Sequence, residues 1–276
     1  MPIGPVENMM NVQQRNNVNA WGSGPATLLF AHGFGCDQSV WRFLLPAFEG
    51  RYRLVAFDAV GSGGSDWGAY DRGKYGTLHG YATDVLEIAD ACTSGPVVFV
   101  GHSVAAMVGL LATIREPDRF VAQIMVSPSP CFLNDGDYRG GFSPADIEEL
   151  LQTLQDNFQG WARAMAPAIM GTPRQPELGQ ELAGSFCRND PAIAAHFARV
   201  TFLSDHRADL PRSAAPALIL QCTEDMIAPR TVGDYTHRAM TGSELRLIDN
   251  IGHCPHMSAP AASAQAMAPF LARVTG

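Results

Sequence analysis

The residues best suited to chemistry follow an apolar run, where Val97-Val98-Phe99-Val100 leads into Gly101-His102-Ser103-Val104-Ala105 and then into further apolar residues. A serine hydroxyl becomes a usable nucleophile when a sharp turn between a buried strand and a helix lifts it clear of the backbone. Such a turn needs small residues two positions before and after the serine. Gly101 and Ala105 meet that need, Ala105 standing where Gly is usual. The pattern alone is weak evidence. A Gly-x-Ser-x-(Gly/Ala) string arises by chance in roughly one of every few chains of this size, and Gly141-Phe142-Ser143-Pro144-Ala145 matches it as well. Ser143 follows no strand and precedes Pro, so it reads as a helix cap. Ser103 has the full strand–turn–helix setting and reads as the nucleophile.

A nucleophilic serine needs a base, an acid to orient that base, and donors for the oxyanion. In a strand–turn–helix site of this type the chain order is Ser, acid, His. Downstream, Leu218-Ile219-Leu220-Gln221 runs into two acids, Glu224 and Asp225, and the next strand leads to Gly252-His253-Cys254-Pro255-His256. His253 is the candidate base; His256 is its rival, with packing or a loop-holding hydrogen bond as the alternative role. Ala31-His32-Gly33-Phe34-Gly35 closes the first clear strand, and its glycines let the backbone turn its amides toward the nucleophile. The backbone N–H groups of Phe34 and Val104 are then the expected oxyanion donors. Asp58 to Ser65 is Gly-rich but lacks both a Lys and the G-x-G-x-x-G spacing, so it reads as a turn rather than a phosphate loop. Cys254 and His256 form the nearest approach to a metal pair, a weak one. No metal and no organic cofactor are expected.

These residues need a scaffold that brings strand ends together. Runs at 26–31, 53–57, 97–100, 121–126, 217–221 and 244–248 read as strands, most of them continuously apolar, as suits a parallel sheet covered on both faces. Between them, Tyr81, Val85, Ile88, Ala89 and Cys92 share one helical face. The alternation predicts an α/β fold. It stops near Asn134 and resumes near Pro216, and the stretch between reads as helices: one begins at Ser143-Pro144, others lie around 161–170 and 181–187, and another starts at Asp190-Pro191. The expected organisation is a first core part at 1–133, a helical lid at 134–205 and a second core part at 206–276.

Composition narrows the function classes. The chain has 276 residues, 46% hydrophobic and 17% charged, which is globular rather than disordered. Its net charge is 19 − 27 = −8 and it has no basic run, so nucleic acid is not an expected ligand. No apolar run reaches the ~20 residues of a membrane span. The first residues lack the charged and apolar regions of a secretory signal, with Met9 and Met10 standing as alternative starts. The six cysteines are scattered and read as free thiols. A cytoplasmic protein is the expectation.

At this point longer strings become informative. HGFGCDQSVW (32–41), DAVGSGGSD (58–66), GHSVAAM (101–107), SPSPCFLND (127–135), GGF (140–142), FLSDHRADL (202–210), LILQCTEDMIAP (218–229) and GHCPHMS (252–258) resemble the α/β-hydrolase superfamily. More narrowly, they resemble the RsbQ-type bacterial stress-signalling hydrolases and the related plant karrikin and strigolactone receptors. The resemblance implies a mainly parallel sheet with helices on both faces and an inserted four-helix lid. It carries the triad to Ser103, Asp225 and His253, and prefers Asp225 over Glu224. It also implies a pocket lined by Phe132, Phe142, Trp161, Met165 and Phe202, suited to a small apolar ester or lactone. A signalling protein partner, such as a phosphatase, would meet the lid, whose polar side Glu148, Glu149, Asp156, Arg163 and Arg174 could supply, although a solvated face is the default reading of such charges.

Overall fold

The computed structural model describes residues 12–171 and 175–276. The alternative starts Met9 and Met10, and Arg174, lie outside them. Seven strands form one sheet: β1 (Asn19–Trp21), β2 (Thr27–Ala31), β3 (Arg53–Phe57), β4 (Val97–His102), β5 (Ala122–Val126), β6 (Ala217–Glu224) and β7 (Ser243–Ile251), in the order β1-β3-β2-β4-β5-β6-β7. All neighbours pair in parallel except β1, which runs antiparallel to β3. The sequence reading found six of these strands and missed β1. Its three residues at the sheet edge are exposed or half-buried, so no apolar run announces it.

The continuous apolar runs have a simple cause. Leu28, Phe30, Val98 and Val100 point into one core, while Leu29, Ala31, Val97 and Phe99 point into the other. Alternate residues of each central strand thus serve opposite faces, and neither face meets water. Helices α1 (Leu78–Cys92) and α2 (Val104–Arg115) cover the second face. Tyr81, Val85, Ile88, Ala89 and Cys92 are all buried, as the helical spacing predicts.

Between β5 and β6 lie four helices, α3 (Pro144–Asp156), α4 (Phe158–Met170), α5 (Pro176–Cys187) and α6 (Pro191–Phe202). Ser143 caps α3, accepting from the Asp146 amide while the Asp146 carboxylate accepts from the Ser143 amide. That reciprocal cap accounts for Ser143 without chemistry. The chain then forms β6, α7 (Arg230–Ala239), β7, α8 (Pro255–Ser258) and α9 (Pro260–Thr275). No helix among the described residues is long and apolar enough to cross a membrane.

The strand order reverses at β2, which lies between β3 and β4. The loops leaving β2 and β4 therefore part in opposite directions and open a crevice at the carboxyl ends of the strands. Ala31 pairs with Gly101, so the turn after β2 meets the turn after β4.

Candidate active site

Ser103 sits at the junction of β4 and α2 with φ 56° and ψ −123°, one of three non-glycine residues at positive φ among those described. That backbone is strained for an L residue and holds the hydroxyl outward from the turn. The neighbours explain the sequence pattern. A Cβ on Gly101 would lie 2.6 Å from the Ala105 carbonyl oxygen, so only glycine fits two residues before the serine. Gly33 is equally constrained, since its Cβ would lie 2.7 Å from His102 Nδ1 and 3.3 Å from Ser103 Cβ. The β2 loop can therefore lie directly against the serine.

His253 Nε2 lies 2.8 Å from Ser103 Oγ, and its Nδ1 lies 2.8 Å from Asp225 Oδ2. All three residues are buried, with 4–7% exposure. A carboxylate only accepts, so Nδ1 carries the proton and Nε2 offers its lone pair to the serine hydroxyl. Asp225 is held in turn: its Oδ1 accepts from the Ile227 amide at 2.8 Å and the Ala228 amide at 3.0 Å. Glu224, the other acid in the sequence, ends β6 with its side chain exposed. The structure brings Asp225 to His253 and leaves Glu224 in solvent.

The turn 33–36 closes through the Cys36 amide donating to the Gly33 carbonyl at 3.3 Å, and Gly35 has φ +72°. Positive φ at the third position marks a type II turn and calls for glycine there. His32 secures it: Nδ1 donates to the Gly33 carbonyl at 2.8 Å while Nε2 accepts from the Ala59 amide at 3.0 Å. Neither the Phe34 nor the Val104 amide donates to another group among the described residues. Val104 is the first residue of α2, where the helix leaves its amides free and its dipole favours negative charge. A glycine turn and a helix N-terminus beside a serine are an arrangement that can offer free amides to an oxyanion.

His256 does not reach the serine. It is fully buried, 4.5 Å from Trp41 and 4.4 Å from His102 between ring centroids, and neither ring nitrogen has a partner among the described residues. His102 Nε2 donates to the His253 carbonyl at 2.9 Å. Burial, reinforced by the neighbouring His253, pushes the His256 imidazole down to about 3. Burial, then His256 and His253, holds His102 well below its usual range. Both are thus neutral in the folded chain but titrate near 6.5 once unfolded. Their contribution to stability is whole above about pH 6.5 and is lost as pH falls from there, for His256 toward about 3. Stability should drop by about 1 to 2 kcal/mol per pH unit for each such histidine in that window. Urea midpoints measured from pH 7 to pH 4 should show this slope, reduced in His256→Phe; an unchanged slope in that variant would refute the assignment.

The serine opens into a narrow apolar cavity, with about 50 Å³ open to the centre of a water molecule. That is room for only a few waters. Phe132, Phe142, Trp161, Met165 and Phe202 all line it, with Phe34, Ser103 and His253. Sequence reasoning missed Leu150, Ile169, Leu182 and Phe186, which face the same space from α3, α4 and α5. Their helical spacing was visible, but an apolar stripe facing a cavity looks like one facing a core. A larger cleft of about 650 Å³ between α3 and α6 is bordered by Arg72, Glu148, His196 and Arg199 and contains none of Ser103, Asp225 or His253. Among the described residues no cluster of side chains could hold a metal ion.

Comparison with known proteins follows the same lines. A profile described as "Alpha/beta hydrolase family" matches residues 28–266. The chain is 37% identical over 250 residues to the karrikin insensitive 2 receptor CA of Petunia hybrida, covering 90% of this chain and 93% of that one. It is 36% identical over 256 residues to the strigolactone esterase D14 of Arabidopsis thaliana, covering 92% and 96%. Among solved structures, a hydrolase from Oleispira antarctica superposes with a TM-score of 0.92 at 42% identity, covering 95% of this chain and 97% of that one.

Proposed function

The chain belongs to the alpha/beta hydrolase family and is an ester hydrolase, and we propose that it cleaves small apolar esters or lactones with Ser103, His253 and Asp225. The observation that carries this reading is the continuous relay from Asp225 through His253 to Ser103, opening into an aromatic cavity. Ser103 Oγ attacks the carbonyl carbon as its proton passes to His253 Nε2. The Phe34 and Val104 amides receive the oxyanion, and Asp225 stabilises the imidazolium. Collapse expels the alkoxide, protonated by His253. Water, activated by the same base, then releases the acyl group. The triad and the two amides account for every proton and bond in this cycle, so the proposed mechanism calls on no metal or organic cofactor.

The cavity sets the substrate class. Among the described residues no Lys or Arg lines it to pair with a phosphate or carboxylate, and apolar walls favour an uncharged ligand. Its narrowness favours short acyl chains, or a ligand that parts the helices on entry. The helices from Pro144 to Phe202 then act as a lid. A second reading draws support from the receptor relative, which matches over 90% of this chain: slow hydrolysis or occupancy moves the lid, whose exposed Glu148, Glu149, Asp156 and Arg163 meet a protein partner. Binding can shift the lid only by its differential affinity for the two positions.

Turnover on aryl esters of increasing acyl length, beside a butenolide-type lactone, tests both readings. Short acyl esters should be cleaved fastest, and charged analogues poorly. Hydrogen exchange across 144–202 with a slowly cleaved lactone reads the lid. Changed exchange with slow turnover supports the receptor reading; unchanged exchange with many turnovers per second leaves an esterase alone. Cleavage that ignores acyl length and charge would overturn the proposed substrate class.

A further inference from the structure

The inserted helices reach the two loops that carry the reacting groups. Just beyond α5, Asn189 is 7% exposed. Its carboxamide nitrogen donates to the Gly35 carbonyl at 2.9 Å and faces the Ser185 and Phe186 carbonyls at 3.0 and 3.1 Å. Two protons serve three acceptors, so its orientation is fixed. Ser185 Oγ donates to the same Gly35 carbonyl at 3.3 Å. Beside them Arg188 pairs with Asp37 at 2.8 Å. The Phe186 ring lies so close that a Cβ on Gly35 would sit 2.4 Å from it. Gly35 is the third residue of the turn whose second residue, Phe34, supplies an oxyanion amide.

We propose that Asn189 is a positioning residue that aims the oxyanion loop, so that the oxyanion hole is complete only while α5 is seated. The proposal rests on the reading of Ser103 as the nucleophile. Bonds to Ser185 and Phe186 alone would make Asn189 a helix cap. The bond to Gly35 goes further, joining the insertion to a loop about 150 residues away in sequence. The base loop is tied in the same way. The His253 amide donates to the Ile169 carbonyl in the last turn of α4 at 2.8 Å, and a Cβ on Gly252 would lie 2.0 Å from the Met170 carbonyl oxygen. A wall that only enclosed a substrate would need neither contact. Displacing the insertion disturbs both loops, which makes acyl transfer conditional on closure.

A trifluoromethyl ketone distinguishes aiming from enclosure. Ser103 Oγ bonds to its carbonyl carbon, the π pair becomes the oxyanion, and the hydroxyl proton passes to His253. The corresponding trifluoromethyl alcohol fills the same cavity but cannot add. In Asn189→Ala, kcat on a short aryl ester should fall about 10- to 100-fold with KM within about 3-fold, as for a misaimed rather than deleted donor. Ketone affinity should fall by the same factor, and alcohol affinity should stay unchanged. Ser185→Ala, which removes only the longer bond, should show the same pattern at about 3-fold and serves if Asn189→Ala does not fold. Unchanged ketone affinity, or equal loss of ketone and alcohol affinity, would overturn the inference and leave Asn189 a cap. Failure of the unaltered protein to bind the ketone through Ser103 would instead refute the nucleophile reading beneath it.

Discussion

Ser103→Ala is expected to lose roughly 10⁵- to 10⁶-fold in kcat while still binding uncleaved ligand, because it removes the atom proposed to form the acyl bond and leaves the apolar walls in place. Alanine keeps the Cβ and with it the strained turn at φ 56°, so the change isolates the hydroxyl. A phosphonate or sulfonyl fluoride should label the unaltered chain once, at Ser103, and should not label the variant. The double variant Ser103→Ala/His253→Ala should be scarcely slower than either single one, since base and nucleophile act as a unit. Ser143→Ala should be labelled and active as before, because Ser143 closes a helix cap. Labelling that persists in Ser103→Ala, or disappears in Ser143→Ala, would overturn the assignment.

The two serines show what was legible in the sequence. The local pattern could not separate them; the preceding strand did, because a tight turn needs a rigid element to turn from. The residues that meet at the site were equally legible, since each stands just past a strand and a parallel sheet gathers those ends on one edge. Asp225 and Glu224 could not be told apart by type. Their difference lies in the Ile227 and Ala228 amides, which fold back to hold one of the two. Asn189 was invisible. Its role depends on where α5 lands against the turn after β2, and no periodicity within α5 encodes that. Edge strand β1 was missed for the complementary reason that little of it is buried.

Asp225→Asn should lower kcat by about 10⁴-fold although it changes one atom for another of nearly the same size. The cause lies in the fixed partners of that side chain. The Ile227 and Ala228 amides both donate to Oδ1, so an asparagine must place its oxygen there and turn its NH₂ toward His253. His253 Nδ1, which now donates to Oδ2 at 2.8 Å, would have to accept instead. The ring proton then moves to Nε2, which faces Ser103 Oγ at 2.8 Å and can no longer take its proton. The geometry survives and the base is lost. Steady-state kinetics should therefore show kcat collapsing with KM little changed, and melting temperature should hold closer to that of the unaltered chain than in Asp225→Ala, which also frees two buried amides. Glu224→Gln, at an exposed position, should change kcat less than about 3-fold. An active Asp225→Asn beside an inactive Glu224→Gln would move the acid to Glu224. It would also mean that β6 and β7 pair at their ends differently from the arrangement in which the Gly252 amide donates to the Glu224 carbonyl at 2.7 Å.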